Sequence, residues 1–345
     1  MRALVLQQFG RVGVEEVAEA REPASDEVRV RIRYTGICGS DIHGYTGENG
    51  RRELGQIMGH ETVGRIDALG PQATERGLTV GQAVTFNPLL ACGHCEACHA
   101  GTEQHCPDRA VIGVQPDLVS AFAEQVTLPA ANVVSMGEGT DERHGALVEP
   151  LAVALNAVRR TGVGEGSAVL VTGGGPIGQS AILAAFRLGA STVFATDISA
   201  VRRELCTKLG AEVIDPSAAP TPEQVRARHG RLVDVTIDAV GVAATLADAL
   251  ESTVFGGTVG LVGMGSPELT MSAYRVSTEE RSIVGSFCYD SRTFRDAAAW
   301  VAEGHAVFDE LISGTVPMDG ANDAFDMLSR PGDTPGKILV DLLEA

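Results

Sequence analysis

From about residue 145 the sequence falls into a rhythm that few folds accept. Apolar runs alternate with helical stretches: AVLVTG, then QSAILAAFRLGA, STVFATD, VRRELCTKLGA and AEVID. Strands separated by helices cannot close as hairpins, so they must lie parallel in one sheet with the helices as crossovers. Three further strand candidates, LVDVTIDAVG, GTVGLVGMG and RSIVGSFCY, bring the number to six, the complement of a doubly wound nucleotide-binding sheet. The expected class is α/β, with this sheet occupying residues 151–287. SAAPTPEQ, residues 217–224, is polar and contains prolines, and reads as a surface connection.

Within VTGGGPIG, Gly173, Gly175 and Gly178 stand in a G-x-G-x-x-G pattern directly after a strand and directly before a helix. In that setting the first glycine permits a tight turn, the second lets backbone approach a pyrophosphate, and the third lets the helix pack closely. Pro176 and Ile177 complete the phosphate-facing turn. Asp197, at the end of the next strand, is placed to accept hydrogen bonds from both ribose hydroxyls and to repel a 2′-phosphate, which favours NAD over NADP. Arg202 and Arg203 follow a turn later and read either as an exposed helix face or as contacts for a phosphate, which keeps NADP as the lesser alternative.

The rest of the chain has a different texture. Residues 26–36, DEVRVRIRYTG, alternate apolar with charged or polar side chains as a half-buried strand does, and glycine-punctuated strand-like runs continue to about residue 135. This first part is expected to be mainly β. After about residue 288 a helix at 293–303 and a closing strand, GKILVDLL, do not extend the βαβ pattern. A formal net charge of −18 opposes binding to nucleic acid or anionic lipid, and no apolar run reaches membrane length. A cytoplasmic location is expected. In a reducing compartment clustered cysteines are metal ligands before they are disulfides. Cys92, Cys95, Cys98 and Cys106 are four of the seven cysteines and fall within CGHCEACHAGTEQHC. Four thiolates close a tetrahedron and leave no open position, so this cluster is expected to hold structural zinc. His94, His99 and His105 are interleaved and read as solvated.

A second set of donors is dispersed. GICGSDIHGY contains Cys38, MGHETVG contains His60 and LVEPLAV contains Glu149. A thiolate, an imidazole and a carboxylate would leave one position open for water or substrate, as a catalytic zinc requires, although spacing alone does not bring them together.

The ordered set GICGSDIH, GHETVG, CGHCEACHAGTEQHC, VEPLAV, VTGGGPIG and PGKILV resembles the zinc-dependent medium-chain alcohol dehydrogenases over essentially the whole chain. The glutamate in VEPLAV is similar to the polyol branch, which includes sorbitol, butanediol, threonine and galactitol phosphate dehydrogenases. The resemblance implies a mainly β GroES-like catalytic domain formed by residues 1–150 and 288–345, carrying both zincs, beside a Rossmann NAD-binding domain at 151–287. It implies a catalytic zinc on Cys38, His60 and either Glu61 or Glu149. It also implies Lewis-acid activation of a substrate hydroxyl, hydride transfer to NAD, and a relay in which Ser40 takes the hydroxyl proton and passes it through the cofactor ribose to His43. The expected activity is oxidation of a secondary alcohol, namely a polyol, sugar alcohol or vicinal diol, to the ketone. Threonine or sugar-alcohol phosphate dehydrogenase activity, and a non-catalytic zinc-stapled nucleotide-binding protein, are the alternatives. A homodimer or homotetramer is expected, with GTVGLVGMG as an apolar sheet edge able to pair across a two-fold axis. Three features depart from relatives or stand apart. VSAFAEQV keeps Phe122, Ala123 and Glu124 but lacks the usual paired glycines and tyrosine, Arg51 and Arg52 read as surface or as partners for a substrate phosphate, and Cys206 and Cys288 read as small buried hydrophobes.

Overall fold

The computed structural model describes residues 1–48, 50, 52–330 and 334–344. The chain forms two compact units. The first comprises Met1–Glu149, Tyr289–Gly332 and Lys337–Ala345, and the second Pro150–Cys288 and Asp333–Gly336.

In the first unit a seven-stranded sheet runs in the order Ile312–Pro317, Lys337–Asp341, Glu27–Gly36, Glu61–Leu69, Ala83–Phe86, Val133–Ser135, with Gln125–Pro129 also pairing to Glu27–Gly36. All of its pairs are antiparallel except Ile312–Pro317 with Lys337–Asp341. The alternation in VRVRIR works as expected: Val28, Val30 and Ile32 are fully buried, while the arginines between them turn outward. A hairpin, Arg2–Gln8 with Arg11–Glu16, adds Leu4, Val5 and Leu6 to the same core. Phe122 lies in that core with its ring edge-on to Phe325, 5.6 Å between centroids, and Glu124 pairs with Arg2. The FAE triplet is therefore a packing element. The expected helix after residue 288 is Ser291–Ala302.

In the second unit six parallel strands lie in the order Glu212–Ile214, Thr192–Thr196, Ala168–Thr172, Val233–Asp238, Thr253–Leu261, Ser282–Gly285. Numbered along the chain this is 3-2-1-4-5-6, whose switch point lies between the first and fourth strands. Val169, Leu170 and Val171 are fully buried, each side chain contributing about 1.5–3 kcal/mol by leaving water.

Three expectations need correction. Residues 217–224 are not simply a connection: Thr221–His229 is a helix. Pro222 lies in its first turn, where no intrahelical N–H bond is lost. GTVGLVGMG is not an edge, because Thr253–Leu261 is paired on both sides and Ser282–Gly285 is the outer strand. Cys206 is buried as read, but Cys288 is partly exposed and has φ 47°.

Candidate active site and metal centres

The tight stretch after Gly36 delivers Cys38 as the N-cap of the helix Gly39–Thr46. Asp41 in the first turn accepts the Cys38 backbone N–H through Oδ2 at 3.0 Å, satisfying a donor the helix start would leave open. Opposite, Gly59 with φ 94° makes the turn into the strand Glu61–Leu69, so that His60 and Glu61 sit at the strand's head. The register pairs Gly36 with Glu61. A side chain at position 36 would put its Cβ 2.4 Å from Glu61 Oε2, so glycine there leaves room for the carboxylate.

One donor atom from each of Cys38, His60 and Glu61 falls within 4.8 Å of the others. Glu149 is not part of that set. It is buried and accepts a hydrogen bond from the Tyr289 hydroxyl at 2.9 Å. Two unforeseen charges complete the surroundings. Lys337, 3% exposed, sets its Nζ 2.7 Å from both Glu61 oxygens and 3.3 Å from the Ile37 carbonyl. Asp41 is fully buried, with Oδ1 3.8 Å from His60 Nδ1. Arg52 is also buried, not solvated as its sequence context suggested, its stem lying against Gly44. Arg51 lies outside the described residues.

The electrostatics of this pocket favour a cation. Burial pushes the carboxyls of Asp41 and Glu149 up, the latter to about 7. Burial opposes charge on His60, yet Asp41 and Cys38 outweigh it and raise its pKa to about 10. Burial likewise opposes charge on Lys337, and Glu61 outweighs it. Among the described residues Cys38, Asp41, Glu61 and Glu149 bring acidic groups to this pocket, and the raised pKa of His60 reports the negative potential they create. His60 Nδ1 is buried without a hydrogen bond among the described residues. Thiolate, imidazole and carboxylate are a zinc donor set. The residues fit the metal.

Ser40 occupies the second position of the Cys38-capped helix, and its Oγ is buried without a hydrogen-bond partner among the described residues. His43, one turn on, is about half exposed, with Nδ1 3.4 Å from Glu48 Oε2.

The four-cysteine cluster is built on a loop framed by the short pair Leu89–Leu90 and Ala110–Val111. Cys95 caps the helix Glu96–His99, which carries Cys98, and Cys106 follows the 3₁₀ turn Glu103–His105. The Sγ atoms of Cys92 and Cys95 lie 3.9 and 3.5 Å from that of Cys98, and all four thiols fall within 4.8 Å of one another. The backbone N–H groups of His94 and Cys95 draw the Cys92 thiol down to about 6, whereas burial and Cys95 push Cys98 up to about 12. That split is what one shared charge among crowded sulfurs produces, and a metal that takes four thiolates removes it.

The alcohol dehydrogenase GroES-like domain matches residues 24–138 and the zinc-binding dehydrogenase domain matches residues 176–303. The L-galactonate-5-dehydrogenase of Escherichia coli (strain K12) is 34% identical over 318 residues, 92% of each chain. The chain belongs to the zinc-binding alcohol dehydrogenase family. The sorbitol dehydrogenase of Bacillus subtilis (strain 168) is 30% identical over 334 residues, covering 94% of this chain and 93% of that one. A zinc-binding dehydrogenase from Sinorhizobium meliloti 1021, solved bound to NADP, superposes with a TM-score of 0.88 at 32% identity, covering 99% of both chains. Among the described residues of this dehydrogenase, no helix is long and apolar enough to cross a membrane.

In the second unit of this zinc-binding dehydrogenase the glycine motif follows the strand Ala168–Thr172. Gly173 takes φ 92° and donates its N–H to the Thr196 carbonyl at 2.8 Å. Gly175 caps the helix Pro176–Arg187, with Pro176 at its first position and Ile177 next, and among the described residues outside its own turn nothing lies within 4 Å of where a Cβ would be. That open face leaves the helix N-terminus free to receive an anion. At Gly178 a Cβ would lie 1.8 Å from the Gly173 carbonyl oxygen, so only glycine fits. Asp197 closes the turn: Oδ2 accepts the Gly174 N–H at 2.8 Å and Oδ1 the Ser199 N–H at 2.7 Å. Arg202 Nη1 lies 3.9 Å from Asp197 Oδ2, whereas Arg203 is turned onto the carbonyls of Asp197 and Ile198 and onto Asp215.

Proposed function

We propose that this zinc-binding dehydrogenase oxidises a secondary alcohol of the polyol, sugar-alcohol or vicinal-diol class to the ketone, with NAD as hydride acceptor. The observation that carries this reading is the Cys38–His60–Glu61 cluster, one donor atom of each lying within 4.8 Å of the others, with His60 and Glu61 buried. Zinc bound there would act as a Lewis acid on the substrate hydroxyl, and the Cys92–Cys95–Cys98–Cys106 cluster would hold a second, structural zinc. Relatives named for L-galactonate and sorbitol support a polyhydroxylated substrate.

The chain's own residues divide the remaining work. Cys38, His60 and Glu61 would hold the catalytic metal, Glu61 while also paired with Lys337. Ser40 accepts the hydroxyl proton: its Oγ is buried and has no competing partner among the described residues. His43, half exposed beside Glu48, delivers that proton to solvent. Gly173, Gly175, Pro176, Ile177 and Gly178 receive the pyrophosphate at the helix start, and Asp197 the ribose hydroxyls. The negative Asp197 favours NAD, although Arg202 at 3.9 Å softens the repulsion and a relative was solved with NADP. Assembly as a homodimer or homotetramer in the cytoplasm completes the reading.

The deciding experiment measures NADH formation against polyols, diols, aldonates, their phosphates and threonine, with and without a zinc chelator, alongside zinc content. Chelator-sensitive turnover with two zincs per chain is expected. Turnover indifferent to zinc removal, or a single zinc held only by the four cysteines, would overturn the reading.

A further inference from the structure

The chain leaves its first compact unit at Glu149 and returns to it at Tyr289. These two residues, 140 positions apart, are joined: the Tyr289 hydroxyl donates to Glu149 Oε1 at 2.9 Å. Tyr289 is 1% exposed and Glu149 7%. An uncompensated carboxylate at such a depth is costly, so the hydroxyl is the donor that makes its burial tolerable. Glu149 lies in the electrostatic field of His60, Glu61 and Lys337, the groups of the proposed catalytic cluster.

The tyrosine itself is held more firmly than a packing residue needs. Its ring lies against Phe294, with centroids 5.4 Å apart, and Phe294 is fully buried in the helix Ser291–Ala302. Asp290 begins that helix by accepting the Thr293 N–H at 2.6 Å. On the other side Cys288 adopts φ 47°, a left-handed conformation unfavourable for a side chain with a Cβ. Its carbonyl accepts Asn156 Nδ2 at 2.9 Å, and the same amide donates to Ser286 Oγ at 3.1 Å. A strained residue persists where its surroundings over-determine it, and here it directly precedes the side chain that reaches Glu149.

We propose that Tyr289 is a positioning residue for the reaction. Its hydroxyl fixes the Glu149 carboxylate through Oε1, and the fixed carboxylate in turn sets the surroundings of the Cys38–His60–Glu61 cluster. The proposal rests on the zinc-dehydrogenase reading given above, and it assigns Glu149 an outer role beside the three-ligand set.

The test compares holoenzyme with Tyr289→Phe, Glu149→Gln and the double variant. Tyr289→Phe keeps the ring against Phe294 and removes one oxygen, so thermal stability and zinc content should change little. Turnover should fall about ten- to a hundred-fold, the usual effect of losing a hydrogen bond to a charged group, with KM for NAD unchanged. On the Glu149→Gln background the same change should add less than about two-fold, because the group it positions is gone. Cobalt replacing zinc supplies a second readout, with Cys38→Ser giving the contribution of the four-cysteine site. The visible spectrum of the catalytic cobalt should shift in Tyr289→Phe at unchanged metal stoichiometry. Additive effects in the double variant, or a drop in stability with turnover and cobalt spectrum intact, would overturn the proposal. Wild-type protein that takes no cobalt at Cys38 would instead overturn the zinc-dehydrogenase reading itself.

Discussion

Replacing Lys337 by methionine asks whether Glu61 is held in place for a cation. The two side chains are 3% and 0% exposed, with Nζ 2.7 Å from both carboxylate oxygens. Methionine keeps most of the lysine stem and removes its charge, so the packing survives while Glu61 becomes an isolated buried anion. Breaking one side of a buried pair costs about 3–5 kcal/mol. In metal-free protein at pH 8 the variant should lose that much. A divalent ion beside Glu61 replaces the charge that lysine supplied, so in zinc-loaded protein the loss should fall below half the metal-free value.

Trp300 makes the measurement specific. It is the only tryptophan, it is 4% exposed, and it belongs to the same compact unit as Glu61. Its fluorescence during denaturant unfolding reports that unit even where the two units unfold in separate steps. Adding Glu61→Gln to Lys337→Met should recover most of the loss, because the stranded charge is gone. An equal loss with and without zinc, or a metal-free loss under about 1 kcal/mol, would refute the reasoning that Glu61 is balanced between lysine and metal.

Three further outcomes are expected. In metal-free protein burial raises the folded Glu149 carboxyl to about 7, above the ordinary 4.5. Its contribution is therefore intact below about pH 4.5 and lost as pH rises through 7, a decline of about 3 kcal/mol that Glu149→Gln should abolish in pH-resolved unfolding curves. A wild-type profile parallel to that of the glutamine variant would contradict the burial argument. Cys95→Ser should remove one zinc per chain and lower thermal stability while the folded fraction still turns over; activity lost at unchanged stability would contradict a structural role for the four cysteines. Asp197→Asn keeps an oxygen for the Gly174 N–H and drops the charge, so the preference for NADH over NADPH in fluorescence titrations should fall about ten-fold. An unchanged ratio would show that Asp197 does not set cofactor choice.

What the sequence made legible follows from the range of each interaction. The six strands could be read because a strand buried on both faces must be apolar along its length, as Val169–Val171 are. Their edge could not, because local pattern does not say which strand lies outermost, and Ser282–Gly285 took the place expected of Thr253–Leu261. The helix Thr221–His229 was masked by prolines that it tolerates at its start. Cys38, His60 and the four clustered cysteines announced themselves through side-chain chemistry. The choice between Glu61 and Glu149 did not, since two carboxylates differ there only in what surrounds them. Those surroundings come from far along the chain: Lys337 is 276 positions from Glu61, and Tyr289 is 140 from Glu149. Yet one of the two left a readable trace. In KILVD every residue is buried, the lysine included, and a lysine heading a fully buried strand cannot stay charged without an anion beside it. The apolar run Ile338–Val340 behind Lys337 thus implies a buried carboxylate as the lysine's partner. What that run does not contain is which carboxylate it is, because the antiparallel pairing of this strand with Glu27–Gly36, and of that strand with Glu61–Leu69, is what carries Lys337 to Glu61.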